Sequence, residues 1–370
     1  MSDLLYIVDQ PALADFCTRL RGAAWLALDT EFIREQTFYP QLCLVQVATP
    51  DQVACIDPLT LPSLDPLLEL LYDPAIVKVL HAAHQDLEIF FHLRGAAPAP
   101  VFDTQLAALV LGCGSQIGYA ALVQQLLGVE LDKAHTRADW RRRPLAPEWL
   151  AYAADDVRYL RDLYPRQLAA LRERGWLELL AEDFQALCHP DRYRLQPRNA
   201  WRRVREHNRF GGLQRAVLRA LAAWREEQAS AQDRPRRWIL GDAVLLELCR
   251  RLPKTLDELQ RVRGLPVTTW RQHGEALLAQ IAAARAEPPE SWPARSHRPR
   301  LSPEQSAWVD ELLELIAHRA NECGIPPREI ADRGDVEKLL ASEDSPLRHG
   351  WRAAVVGREL QARLISGADA

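Results

Sequence analysis

Three apolar segments near the front of the chain are joined by spacers too short for a helical crossover. The segments are WLALDTEF (25–32), LCLVQVA (42–48) and VACID (53–57), and the spacers are IREQTFYPQ and TPDQ. Parallel neighbours need a crossover of about a dozen residues or more, so this spacing predicts an antiparallel run. LLYIV (4–8) and IVKVLHA (76–82) share the apolar, β-branched character and add two strands. Helical patterns follow at SLDPLLELLYD and near 84–94, 103–112, 117–128 and 147–173. The expected fold is a mixed sheet with helices packed on it.

The pattern changes after about residue 195. PRNAWRRVREHNRFGGLQ reads as a linker into a helical unit, and no strand is expected beyond it. The Pro-rich stretch EPPESWPARSHRPRLSPEQ reads as a second linker, with helices again over 302–366. The two helical stretches echo each other weakly. In WREEQASAQDRPRRWILGDAVLLELCRRLPKT and in IAHRANECGIPPREIADRGDVEKLLASEDSP, a helix meets a Pro and Arg turn and then a short helix near Asp. This is the pattern of a degenerate repeat.

Charge follows the same division. Lys and Arg against Asp and Glu sum to −10 over 1–190, +11 over 191–300 and −5 over 301–370. A basic middle suits a polyanion, and an acidic front suits cations or a structural role. Only four of the 46 basic residues are Lys; a codon preference for Arg explains that choice but not the clustering. MSDLLYIVDQ lacks the basic start of a signal peptide, and no apolar run nears the roughly 20 residues of a membrane span. The seven Cys are scattered without a C-x-x-C pair, which predicts free thiols in a reducing cytoplasm and no structural zinc site.

Within WLALDTEF the apolar run ends in Asp29 and Glu31. Residues two apart on a strand share a face, so the two carboxylates sit side by side. HAAHQDLEIF places Asp86 near a helix start, and YAADDVRYL puts Tyr152 and Asp156 on one helical face. Each signal alone is weak. Together they suggest four carboxylates that need cations to stay ionised. Two divalent ions about 3.5–4 Å apart would neutralise them, activate a water and stabilise a leaving 3′ oxygen. The Tyr152 hydroxyl would orient that water; phenols ionise near roughly 10, which makes tyrosine a poor general base.

DTEF, HAAHQDLE and YAADDVRYL resemble, in this order, the three motifs of the DEDD superfamily of 3′→5′ exonucleases. The Tyr-x-x-x-Asp form matches the subgroup with Tyr, rather than His, before the final Asp. DTEFIREQTFYPQLCLVQVA, FDTQLAA and LDKAHTRADWRRRPL are similar to the ribonuclease D family, whose members carry helical HRDC domains at the C-terminus, in two copies in some. The resemblance covers nearly the whole chain. It implies a ribonuclease H-like α/β exonuclease domain over 1–195, a first HRDC-like helical domain over 208–288 and a second, degenerate one over 300–370. It implies Asp29, Glu31, Asp86 and Asp156 as ligands of two Mg²⁺ or Mn²⁺ ions, Tyr152 as the water-orienting residue, and Asp156 rather than Asp155 as the final ligand. The implied activity is a metal-dependent exoribonuclease that releases nucleoside 5′-monophosphates and trims the 3′ ends of tRNA precursors and other small structured RNAs.

Other residues admit two readings. His81 and His84 suit structural or substrate-adjacent roles better than metal ligation. Asp103 resembles a helix N-cap supporting the site. Arg141, Arg142 and Arg143 offer a phosphate clamp or a solvated loop, and Phe32 a base-stacking surface or a core aromatic. The expected partner is an RNA 3′ end, with no membrane and no obligate protein partner evident. Two rivals stand beside this reading. One is a DNA 3′→5′ exonuclease of the proofreading kind, because the carboxylates do not read the sugar. The other is a catalytically silent RNA-binding scaffold, against which the full set of motif residues argues.

Overall fold

The computed structural model of the chain describes residues 4–132, 138–294 and 301–368. Residues 133–137 of the run LDKAHTRADWRRRPL, and 295–300 of the second linker, lie outside the described residues. The chain divides into two compact units. The first holds Met1–Ile33, Leu42–Tyr193 and Leu301–Ala370; the second holds Arg34–Gln41 and Arg194–Arg300.

The first unit is built on a six-stranded sheet: β1 (Leu4–Ile7), β2 (Trp25–Ile33), β3 (Gln41–Ala48), β4 (Val53–Ile56), β5 (Val77–Leu80) and β6 (Val101–Asp103), in the order β1-β4-β3-β2-β5-β6. β3 and β4 are antiparallel, with Val45 opposite Ile56, as the four-residue spacer TPDQ requires. β1 pairs with β4, β2 with β5 and β5 with β6 in parallel, so the sheet is mixed. The three-residue β6 was not expected: it follows APAP, whose prolines read as loop.

Strand alternation sorts the side chains into two cores. Leu26, Leu28, Val45 and Val47 pack with α1 (Gln10–Leu20), α2 (Asp65–Leu71) and α3 (His84–Arg94). Ala27, Leu44, Val79 and Phe102 pack with α4 (Thr104–Val110), α5 (Tyr119–Leu127), α6 (Pro147–Arg158), α7 (Leu160–Glu173) and α8 (Ala181–Leu187). The helix expected over 147–173 is interrupted at Tyr159, giving α6 and α7.

The second unit packs α9 (Gly212–Ala231), α10 (Arg236–Ile239), α11 (Asp242–Arg251), α12 (Leu256–Gln260) and α13 (Val267–Ala286) around Val217, Leu221, Leu245, Leu248, Leu277 and Ile281. The loop Arg34–Gln41 belongs to this unit. Its Phe38 is buried in the helical core, the backbone N–H groups of Phe38 and Tyr39 both donate to Asp233 Oδ1 at 3.0 Å, and the Arg236 guanidinium lies 4.3 Å from the Phe38 ring centre.

The segment expected as a helical domain by itself over 300–370 instead joins the first unit from Leu301 and shares its core. Val309, Leu312 and Ile316 of α14 (Pro303–Cys323) fall in one cluster with Leu109 and Leu122. Gly112 and Gly324 make the approach close: both have left-handed φ, and a Cβ on Gly112 would meet the Cys323 carbonyl oxygen at 3.2 Å. The echo between the helical stretches persists in element order. α9, four-residue α10 and α11 are matched by α14, four-residue α15 (Pro327–Ile330) and α16 (Arg333–Leu340). All seven cysteines are free, and no helix among the described residues is long and apolar enough to cross a membrane.

Candidate active site

Alternation along β2 decides where its carboxylates point. Ala27 belongs to the core that includes α6, so Asp29 and Glu31, two and four residues on, lie on that face. On α6 the buried stripe is Ala153, Ala154 and Val157, and half-buried Tyr152 and Asp156 flank it one turn apart. Asp86 comes from the opposite side, in the first turn of α3, and is 6% exposed. Thr30, between the two β2 carboxylates, donates its hydroxyl to Asp86 Oδ1 at 2.5 Å. Three segments distant in sequence thus bring their acids to one place.

The turn that delivers Asp86 is held from outside. Ala82 has φ +56°, a left-handed conformation that costs a non-glycine residue about 1–2 kcal/mol. Its N–H and that of Ala83 donate to Asp103 at 3.2 and 2.9 Å, and the same carboxylate caps α4 through Gln105 N–H at 2.8 Å. Asp103→Ala leaves three N–H groups, of which that of Ala83 is buried, without their acceptor and should lower stability by about 1–2 kcal/mol. Denaturant unfolding measures this; a loss below about 0.5 kcal/mol would show that the turn stands without Asp103.

The electrostatics converge on Asp29. Burial pushes its carboxyl well above the ordinary range, and Asp86, Asp156 and Glu31 each add to the rise. Burial, with Asp156 and Asp86, raises Glu31 to about 8. Burial raises Asp86 to about 7, against the lowering effect of the Thr30 hydroxyl, and raises Asp156 to about 7. No cationic side chain is among the leading influences on Asp29, Glu31 or Asp156. Hard carboxylate oxygens gathered without a protein counter-charge fit a divalent cation. The four are electrostatic neighbours, not a closed cage: among the described residues no three His, Cys, Asp or Glu are drawn together tightly enough to hold an ion.

A cavity of about 590 Å³ adjoins the acids, lined by Tyr119, Asp132, Glu148, Tyr152, Asp155 and Asp156 among others. Asp155 turns to Arg158 at 3.2 Å, and its backbone carbonyl accepts from the Tyr119 hydroxyl at 2.8 Å. His81 bonds Thr104 Oγ1 at 2.9 Å and the Ile117 carbonyl at 3.0 Å, and burial lowers its pKa; His84 stacks on Tyr193. Both histidines are explained by structure. Phe32 is half-buried and, by alternation, on the face away from Glu31. Arg141 is exposed and pairs with Asp139 at 3.1 Å, and Arg142 is exposed. Arg143 does not face solvent as a clamp: its guanidinium is spent inside the protein, chiefly on buried Asp57. Sequence reading missed Thr30, Asp57 and Tyr119. Only Thr30, lying between two motif acids, carried a local signal.

Residues 5–169 match a 3′–5′ exonuclease family model, and 214–281 match the HRDC domain. Ribonuclease D of Gluconacetobacter diazotrophicus is 40% identical over 99% of this chain and 95% of its own length, and that of Pseudomonas paraeruginosa 40% over 98% of each. The crystal structure of Escherichia coli RNase D, an exoribonuclease involved in structured RNA processing, superposes with a TM-score of 0.85 and 31% identity, covering 99% of both chains. The HRDC match falls in the basic, helical second unit, and the exonuclease match spans the strands and helices that carry all four acids and Tyr152. With similarity of this extent running through both, the chain belongs to the ribonuclease D family of 3′–5′ exoribonucleases.

Proposed function

We propose that the chain hydrolyses the 3′-terminal phosphodiester of RNA, releases nucleoside 5′-monophosphates, and trims tRNA precursors and other small structured RNAs. The observation that carries the chemistry is the convergence of Glu31, Asp86 and Asp156 on Asp29. Asp29, Glu31, Asp86 and Asp156 would hold two Mg²⁺ or Mn²⁺ ions, which when bound supply positive charge to acidify water and to stabilise the leaving 3′ oxygen. Tyr152, one turn before Asp156 and lining the adjoining cavity, would hydrogen-bond the attacking water through its hydroxyl and orient it. Water adds to phosphorus, the bond from phosphorus to O3′ breaks, and the shortened RNA keeps a 3′ hydroxyl. The Escherichia coli relative's role in structured RNA processing supports the substrate class, and the free thiols suit a reducing cytoplasm.

The second unit supplies a grip on RNA. The 3₁₀ segment Pro197–Arg203 and α9 border a cavity of about 630 Å³ lined by Arg198, Asn199, Trp201, Arg202, Arg219 and Glu287 among others. Glu287 is taken by Arg219, which also donates to the Ser291 carbonyl at 3.1 Å. Exposed Arg198 and Arg202 therefore add their charge to a concave surface suited to a phosphodiester backbone.

RNA and DNA of one sequence, assayed with and without Mg²⁺ or Mn²⁺, test the reading. Metal-dependent release of monophosphates from the RNA 3′ end is expected; equal turnover of DNA would favour the proofreading-type reading. Tyr152→Phe keeps the ring and removes the hydroxyl. Its kcat should fall about a hundredfold while RNA affinity is unchanged. A loss confined to KM would place the hydroxyl on substrate instead of water.

A further inference from the structure

We propose that Arg143 and Trp140 are positioning residues for Tyr152, anchored on Asp57; this rests on the water-orienting reading of Tyr152. Asp57 follows β4 and is fully buried. It accepts from Arg143 Nε at 2.5 Å and Nη2 at 2.7 Å, from the Tyr6 hydroxyl at 2.6 Å and from Leu59 N–H at 3.0 Å. The guanidinium's other N–H groups reach the carbonyls of Cys43 at 2.7 Å, Trp140 at 2.7 Å and Arg142 at 2.9 Å. With five donors placed on five bonds, the fork has a single orientation. Asp57 just past β4 and Cys43 of β3 therefore hold Arg143, and Arg143 holds the backbone of Trp140.

Trp140 transmits that fixation. It is 3% exposed, and its ring centre lies 6.3 Å from that of Tyr152 at an interplanar angle of 29° and 5.7 Å from that of Trp149 at 64°. Trp149 and Tyr152 stand three apart on α6, so one indole walls both. A phenol hydroxyl that directs a water needs its ring set within a fraction of an ångström, because a misplacement of about 1 Å costs on the order of a hundredfold in rate. Buried ion pairs seldom stabilise better than apolar packing would, so stability alone does not explain five directed bonds at this point.

The test is a double-mutant cycle on steady-state kcat and KM with 3′-labelled RNA. Trp140→Leu should lower kcat about tenfold at unchanged KM, and Trp140→Phe should recover most of it. In the Tyr152→Phe background, Trp140→Leu should change kcat by less than about twofold, because the group it positions is gone. Arg143→Lys keeps the charge that Asp57 needs but not the fork, and should couple to Tyr152 in the same way. If it does not fold, the Trp140 cycle decides alone. Independent, multiplying losses in the double variants, or losses in KM, would overturn the clamp while leaving Tyr152 its role. An unchanged kcat for Tyr152→Phe would remove that role, and the clamp with it.

Discussion

Asp29→Asn is expected to cut turnover on RNA by roughly a thousandfold and, in chelator-treated protein at pH 8, to raise the melting temperature. The two effects share a cause. Asp29 is the acid on which the other three converge, so an uncharged Asn takes away a metal ligand and, at once, the cost of burying a titratable carboxyl among other acids. The sign with pH follows from the raised carboxyls. A carboxyl whose folded pKa lies above its unfolded value keeps its proton longer when folded. Its contribution is intact at and below the ordinary range near roughly 4 and is lost as pH climbs through the folded value. With Asp86 and Asp156 near 7 and Glu31 near 8, metal-free protein should lose stability between about pH 4 and 8. Mg²⁺ or Mn²⁺ should restore it most at the alkaline end. The Asn variant should melt a few degrees higher than the parent at pH 8, since each kcal/mol shifts a domain of this size by about 2–4 °C. Thermal melts across pH with and without metal check this. A variant that melts below the parent at pH 8, or a parent indifferent to metal there, would mean the four acids do not share one charge-loaded site.

What was legible in the sequence was whatever depends on neighbours along the chain. Short apolar runs between polar spacers located five strands, and Asp29 with Glu31 showed their common face because alternation is local. Asp103 read as a cap because capping acts within one turn, but its hold on Ala82 needed β5 and β6 side by side. Arg143 misled for the same reason. RRRP looks like a basic loop, and nothing local says that one of three arginines closes on Asp57, 86 positions away. The grouping of 301–370 was hidden too: an amphipathic helix records that it has a buried face, not which surface covers it.

That grouping decides how the RNA grip can be tested. Ending the chain near residue 195 would strip α14 from the core of the first unit, and excising 196–300 would uncover Phe38, so deletions would confuse folding with binding. Substitution avoids this. Arg198 and Arg202 are exposed and border the cavity of the second unit. Changing both to Ala should leave the melting temperature unchanged and should weaken binding of longer RNA by about tenfold or more at low salt. The plot of log affinity against log salt should flatten by about 1.4 for single-stranded RNA if each arginine neutralises one phosphate. Turnover of the shortest substrates should persist, because the four acids and Tyr152 all lie before residue 160. Affinity titrations of parent and double variant at several salt concentrations give the answer. An unchanged slope would mean that the cavity meets no phosphate and that its arginines are an Arg-rich chain's ordinary surface charge.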